Sequence, residues 1–277
     1  MPRSQLKQLL IGELSWRRLV GSVLFIYGFF ALYVYFRADS MIFLPQPASY
    51  QDSSHILKIP VTNGEKISAF YWPNRQAKYT LLYIHGNAED LGRIEPTLER
   101  LFQQGFSIFA YDYRGYGTSD GQPSEQAAYQ DAEAAYSYLT QQLQVPPDRI
   151  ILYGRSVGGG SAVELATRHS CAGLILESTF TSTFRVVVPF PLLPFDKFTN
   201  LAKIPQVRCP VLVMHGEADS IIPFQHGQRL YEAAPDPKLS LWVEGADHND
   251  FVEVAGDRYW ATLKAFEQML EQHRKAQ

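Results

Sequence analysis

Two cysteines in 277 residues are too few for a disulfide framework, and neither stands at a spacing from histidine that resembles a metal site. Cations are not in excess: 25 Lys and Arg stand against 28 Asp and Glu, giving a net charge of -3 and a sequence pI near 6.2. Without a basic stripe, nucleic acid is not an expected partner. The chain also lacks internal repeats and low-complexity tracts, which sets aside repeat arrays and compositionally biased linkers. Cys171 and Cys209 each precede an apolar run that reads as a strand. They are read as isolated core thiols, with pairing as the alternative for an exported domain.

What is present instead is one long uncharged run from Leu19 to Phe36. It suffices to span a bilayer with help from its flanks, since about 20 residues at 1.5 Å each cover the hydrocarbon core. Trp16, Tyr27, Tyr33 and Tyr35 suit the interfaces, and Gly21 and Gly28 are ordinary in membrane helices. A signal peptide is the rival reading, but its apolar region would be shorter and Ala38-Asp39-Ser40 is a poor cleavage site. Arg3, Lys7, Arg17 and Arg18 precede the run against Glu13, and only Arg37 and Asp39 follow closely. The positive-inside rule then puts the N-terminus in the cytoplasm and the remainder on the non-cytoplasmic side; a monotopic helix, the alternative, would leave it cytoplasmic. The expected organisation is a basic segment 1–18, a single-pass anchor 19–36, a linker 37–54 and one domain 55–277, a size that supports one substantial core.

Ile56 to Val61 and Ile67 to Trp72 read as an opening β-ribbon around Thr62-Asn63-Gly64-Glu65. From Tyr79 strands and helices alternate. Helical patterns over 89–104, 124–142, 157–169, 225–233 and 250–272 separate apolar runs of strand length, which predicts an α/β fold with a mostly parallel sheet covered on both faces.

Gly154-Arg155-Ser156-Val157-Gly158 follows the apolar run 149–153 and leads into a helical pattern, so Ser156 sits where a strand turns sharply into a helix. There a serine is a candidate nucleophile, and flanking glycines relieve the crowding of a strained turn. Gly117-Thr118-Ser119-Asp120-Gly121 matches the same pattern but lies in a Gly- and Pro-rich stretch that cannot begin a helix, so Ser119 reads as a loop serine. A serine nucleophile needs a base, and the base needs an orienting carboxylate. The strand-like 210–215 ends in Gly216-Glu217-Ala218-Asp219, and 239–243 runs into Glu244-Gly245-Ala246-Asp247-His248, which nominates Asp219 as acid and His248 as base. Asp247 is the reserve acid. The run 79–84 opens into His85-Gly86-Asn87-Ala88, whose Asn87 N–H would join that of Val157, aided by the helix dipole, to bind an oxyanion.

The order Ser, Asp, His, with each group at a predicted strand end, resembles the α/β-hydrolase superfamily over about Ile56 to Gln272. With Tyr111-Asp112-Tyr113-Arg114-Gly115-Tyr116-Gly117 and His215-Gly216-Glu217-Ala218-Asp219 added, it is similar to the membrane-anchored α/β-hydrolase-domain serine hydrolases, a group that includes lipid hydrolases and protein depalmitoylases. The resemblance implies an eight-stranded α/β-hydrolase sheet and ester or thioester hydrolysis on a small-molecule or acylated-protein substrate, without cofactor or metal. It leaves the acyl group and the oligomeric state open.

Other residues have plainer readings. His85 and His215 look like structural hydrogen-bonding groups; His55, His169, His226 and His273 look like surface residues. Asp112 is expected to brace Arg114, and Asp120 to serve a turn. Between Glu177 and Pro205 the prolines preclude one long helix. This apolar insertion, 178–205, is expected to form a lid over the strand ends with Phe184, Phe190, Leu193 and Phe195 as acyl contacts; a short packed excursion is the plainer alternative. The function expected is two-step acyl transfer by a membrane-anchored serine esterase or thioesterase. A peptidase of the same fold competes, although no clear acidic cluster stands ready for a free amino terminus. A membrane-anchored scaffold that has lost activity is the reading from another class, and the complete triad argues against it.

Overall fold

The computed structural model describes residues 15–276 and divides into two units, one ending at Met41 and one beginning at Ile42. The first fourteen residues of the expected basic segment lie outside the described residues. The first unit contains helix α1 (Trp16–Ile42), 27 residues with a mean hydropathy of 2.0 over its most apolar window. At 1.5 Å per residue it is about 40 Å long, enough to cross a bilayer. Its large apolar side chains, Phe25, Ile26, Phe29 and Leu32 among them, are exposed. The helix runs past Phe36 to Ile42, so the first part of the expected linker is helical.

In the second unit, β1 (Leu57–Pro60) and β2 (Lys66–Trp72) form the antiparallel ribbon expected, with Pro60 opposite Lys66. Asn63 and Gly64 take φ of 62° and 80° in the turn between them, as Asn-Gly favours. β3 (Thr80–Ile84), β4 (Ser107–Tyr111), β5 (Ile150–Arg155), β6 (Gly173–Glu177), β7 (Val211–Gly216) and β8 (Lys238–Val243) complete an eight-stranded sheet in the order β1-β2-β4-β3-β5-β6-β7-β8. β4 pairs antiparallel with β2, and the pairings from β4 through β8 are parallel. This is the α/β-hydrolase topology.

β3, β4, β6 and β7 are buried on both faces, which is why they read as unbroken apolar runs. Successive residues feed two cores. Leu82, Ile84, Leu152, Leu174 and Val213 pack on one side with α3 (Glu125–Ser137) and α4 (Gly158–Arg168). Leu81, Tyr83, Ile151, Ile175 and Leu212 pack on the other with α2 (Leu91–Gln103) and a long C-terminal helix. α2 presents Leu91, Ile94, Leu98 and Leu101 to that core at helical spacing, each burial stabilising by about 2 kcal/mol. Short helices α5 (Thr183–Val187) and α6 (Asn200–Lys203) occupy the insertion after β6, and α7 (Gln225–Ala233) follows β7. The expected C-terminal helix over 250–272 is two: α8 (Phe251–Ala255) and α9 (Asp257–Ala276) meet at Gly256, whose φ of 54° breaks the spiral.

Residues 43–50, expected to be linker, pack into the domain. Phe43 is buried among Tyr113, Tyr116 and Phe198. Asp90 caps α2 by accepting from the Arg93 N–H at 3.0 Å, and the same carboxylate holds the Ser49 N–H at 2.6 Å and the Ser49 hydroxyl. Cys171 and Cys209 are both free thiols with their Sγ atoms 3.0 Å apart. Because Asp90 serves a helix end and a tethered segment together, Asp90→Ala is expected to destabilise the domain by about 1–2 kcal/mol. A denaturant midpoint unchanged from wild type would contradict this account of the segment.

Candidate active site

The turn from β5 into α4 requires φ of 52° at Ser156, a left-handed conformation that costs a non-glycine residue energy and therefore needs its surroundings to hold it. The flanking glycines supply the room. A Cβ on Gly154 would lie 2.6 Å from the Gly159 Cα, and one on Gly158 would lie 2.1 Å from the carbonyl oxygen of Ile84 at the end of β3. The elbow is then tied down by its backbone: the Ser156 N–H donates to Glu177 O at 2.9 Å, and Ser156 O accepts from the Thr179 hydroxyl at 2.6 Å and the Gly159 N–H at 3.1 Å.

Three loops at the carboxyl ends of β5, β7 and β8 bring Ser156, Asp219 and His248 together, all three buried. His248 Nε2 lies 3.1 Å from Ser156 Oγ, and His248 Nδ1 lies 2.8 Å from Asp219 Oδ2. A carboxylate only accepts, so Nδ1 carries the proton and Nε2 is left to accept from the serine hydroxyl. That is the geometry by which an imidazole acts as general base on a serine. The other carboxylate oxygen of Asp219 accepts from the N–H groups of Ile221 at 3.0 Å and Ile222 at 2.7 Å. Burial alone would raise this carboxyl, but hydrogen bonds from His215, His248 and the Ile222 backbone hold it well below the usual carboxylate range.

Asp247 sits apart from the ring. Its carboxylate accepts from the Ser220 N–H and hydroxyl and from the His248 backbone N–H, holding the loop but not the imidazole. Ser119 is likewise consumed: its hydroxyl donates to Asp112 O at 2.9 Å and accepts from the Ser68 N–H at 2.8 Å. His85 is fully buried, with Nδ1 2.7 Å from Gly86 O and Nε2 3.3 Å from the Asp112 carboxylate. Burial would lower its pKa, yet Asp112 outweighs that and leaves it raised. His215 Nε2 lies 2.8 Å from Ile222 O and 3.3 Å from the Asp219 carboxylate, which share its proton. Among the described residues no group of three or more His, Cys, Asp or Glu is arranged to hold a metal ion.

Two expectations fail. Asp112 does not brace Arg114, whose guanidinium and backbone are held by Asp131, with Glu65 alongside; Asp112 instead accepts from the Tyr50 hydroxyl and the Leu91 N–H. His226 is not at the surface. It is buried at the start of α7, accepting on Nδ1 from the Thr181 N–H at 3.2 Å, because the chain folds the insertion's first residues over that helix end.

Val157 directly follows Ser156, and Asn87 lies in the loop after β3; the structure shows what holds the Asn87 side chain. Its side-chain amide donates to Ile42 O at 2.5 Å, and its Oδ1 accepts from the Leu44 N–H at 2.9 Å and the Tyr116 hydroxyl at 2.6 Å. Within the insertion, Phe184 packs edge-on against Phe195, whereas Phe190 is 58% exposed and Leu193 half-buried. Phe198, at the insertion's far end, is fully buried against Phe43, Tyr129 and Phe180. Sequence reasoning missed Arg155, Glu89 and Glu177, which form ion pairs beside the elbow; a charged residue inside the pentapeptide was the available signal.

Asp219→Asn should cost roughly three to four decades of activity, and Asp247→Asn far less, measured as kcat/KM on one ester; the reverse ranking would pass the role to Asp247. The depressed carboxyl has a second consequence. A group held below its unfolded value contributes stability that is complete above about pH 4 and is lost as pH falls through the folded value. Asp219→Asn should therefore lose less stability than wild type on acidification below pH 4, a difference that denaturant melts at successive pH values will read.

Residues 75–195 match a family described as serine aminopeptidase, S33. α/β-Hydrolase domain-containing protein 17B of Homo sapiens is 41% identical over 222 residues, covering 78% of this chain and 76% of that protein. The aho-3 α/β-hydrolase domain-containing protein of Caenorhabditis elegans is 43% identical over 197 residues, 70% of this chain and 59% of that one. Among solved structures, an esterase from Pyrococcus furiosus aligns with a TM-score of 0.69 at 18% identity, over 83% of this chain and 98% of its own. An esterase from Exiguobacterium antarcticum aligns with a TM-score of 0.59 at 19% identity, over 76% and 98%. At such identities these structures speak for the fold, while the sequence relatives carry kinship. By that kinship the chain belongs to the α/β-hydrolase-domain family of serine hydrolases.

Proposed function

We propose that this chain is a membrane-anchored serine hydrolase that cleaves carboxylic esters or thioesters, of lipid or acyl-protein type, through an acyl-enzyme. The observation that carries the reading is the hydrogen-bonded run from Ser156 Oγ through His248 to Asp219, at the carboxyl ends of three strands. In the proposed cycle Ser156 Oγ attacks the carbonyl carbon as its proton passes to His248 Nε2. Asp219 steadies the imidazolium from the Nδ1 side. The N–H groups of Val157 and Asn87, with the N-terminus of α4, bind the oxyanion. Collapse of the tetrahedral species expels the alcohol or thiol, which takes the proton from His248. Water then attacks the acyl carbonyl as its proton passes to His248 Nε2, and collapse releases the carboxylic acid while His248 returns the proton to Ser156 Oγ.

Anchoring rests on α1, uncharged from Leu19 to Phe36 and exposed along most of its length. A tethered enzyme meets membrane-held acyl groups at high local concentration. Phe184, Phe190, Leu193 and Phe195 are proposed as acyl contacts, since the insertion presents Val187, Phe190 and Leu192 to solvent within six residues of chain. The cations Arg17 and Arg18 ahead of the span favour a cytoplasmic N-terminus and a catalytic domain on the opposite side. The name of the matched family raises amide hydrolysis as a second reading, and the same triad chemistry would serve it.

Ser156→Ala should abolish ester turnover and fluorophosphonate labelling, a loss of roughly four or more decades, while Ser119→Ala keeps labelling if it folds. The reading is wrong if the folded Ser156→Ala enzyme still labels and turns over. Run in parallel, thioester and ester substrates should be cleaved faster than an amino-acid anilide; the opposite order would favour the peptidase.

Removal of residues 1–37 should leave activity on short soluble esters, because no proposed catalytic group precedes His85. On acyl chains held in liposomes the truncated form should fall behind the full chain. Equal liposomal rates would contradict the anchoring role, and an unchanged chain-length preference in Phe190→Ser and Leu193→Ser would contradict the acyl lid.

A further inference from the structure

Arg155 is the residue immediately before the strained serine, at the last position of β5, and its guanidinium is largely buried. It contacts three loops besides its own. Nη1 pairs with Glu89 Oε1 at 2.5 Å, and the other carboxylate oxygen of Glu89 accepts from the Gly86 N–H at 2.8 Å. Nε lies 3.3 Å from Glu177 Oε1, at the end of β6. Nη2 donates to the carbonyl oxygen of His248 at 3.2 Å and to Asn249 Oδ1 at 3.2 Å. A Cβ on Gly86 would meet Glu89 Oε2 at 2.8 Å and Arg155 Nη1 at 3.0 Å, so the His85–Ala88 loop rests directly on this ion pair.

We infer that Arg155 is a positioning residue for hydrolysis: one planar cation holds the elbow, the Gly86–Asn87 turn and the His248 backbone in register. The inference rests on the proposed roles of Ser156, His248 and Asn87. Its logic is geometric. The distance from Ser156 Oγ to the imidazole depends on where β8's loop sits, and the aim of the Asn87 N–H depends on the peptide plane that begins at Gly86. Each is set by a loop with its own freedom, and small displacements of catalytic groups cost rate steeply. A guanidinium carries five donors in a fixed planar fork over three nitrogens, so it can hold acceptors on opposite edges in set directions, whereas an ammonium's donors radiate from one nitrogen. Glu177 is independently occupied: its second oxygen accepts from the Tyr153 hydroxyl and lies 3.3 Å from that of Tyr259. That buried carboxylate anchors the clamp to the core, away from the substrate side.

Loss of the clamp should weaken the chemical step more than substrate binding. Arg155→Ala, in the full-length chain with p-nitrophenyl acetate, should lower kcat by roughly ten- to a hundredfold, the range for residues that orient catalytic groups, and leave KM within about twofold. The second-order rate of fluorophosphonate labelling should fall in step, since it uses the same base and oxyanion donors. Arg155→Lys should recover part of the loss, because a single ammonium reaches Glu89 or the His248 carbonyl but not both. Glu89→Gln keeps an acceptor for the Gly86 N–H while removing the ion pair, so it should show a smaller kcat loss. Combined with Arg155→Ala it should add little, because both changes cut one link.

A folded Arg155→Ala enzyme with wild-type kcat overturns the proposal, as does a double variant whose losses multiply. Should Arg155→Ala fail to fold, Arg155→Lys and Glu89→Gln decide: reduced kcat at unchanged KM and melting temperature supports the clamp, and wild-type kcat in both contradicts it. Failure of the underlying site reading looks different, since Ser156→Ala would then retain turnover.

Discussion

The site is organised around one strained peptide. Ser156 is held in a left-handed conformation, and nothing in its own chemistry prefers that state. What holds it is close approach: α4 starts so near the end of β3 that Gly158 has no room for a side chain beneath the Ile84 carbonyl, and the Ser156 peptide is bonded on both sides to the chain that leaves β6. The sheet order that sets β5 between β3 and β6 is therefore a requirement of the elbow. From that point the serine hydroxyl projects above the strand ends, where only loops from neighbouring strands can meet it.

Electrostatic order around the elbow is layered by burial. The Asp219 carboxyl is held low because His215, His248 and the Ile222 backbone N–H converge on it. Asp112 does similar work for His85, with Tyr50 and the α2 backbone as its other donors. Arg155 completes the pattern by tying Glu89 and Glu177 to the loop that carries His248. The segment from Ile42 to Tyr50 belongs to this set, since it supplies the acceptor and donor that fix the Asn87 side chain.

Much of this was legible in the sequence because parallel strands buried on both faces advertise themselves as apolar runs, and the groups proposed to be catalytic stand just past the strand ends. Ser156, Asp219 and His248 could be nominated from that rule, and Ser119 set aside because it lies in a Gly- and Pro-rich stretch that cannot begin a helix. The geometry of the insertion was less legible: Phe198 looks no different from Phe190 in sequence, yet one is core and the other exposed. The partners of Asp112, Arg114 and His226 come from elements distant along the chain, and no local spacing encodes them. Residues 43–50 carry no periodic signal, so their attachment through Phe43, Ser49 and Tyr50 was invisible. Gly256 lay inside a helical pattern, where its positive φ could not be read.

The central claim is that chemistry passes through an ester on Ser156. The most direct measurement is to mix the full-length enzyme with excess p-nitrophenyl acetate, quench with acid during turnover and map the acetylated peptide by mass spectrometry. The account predicts one acetyl group, on the peptide carrying Ser156, in amount accounting for the initial burst of nitrophenol. Acetylation confined to another residue, with turnover undiminished when Ser156 is replaced by Ala, would contradict it.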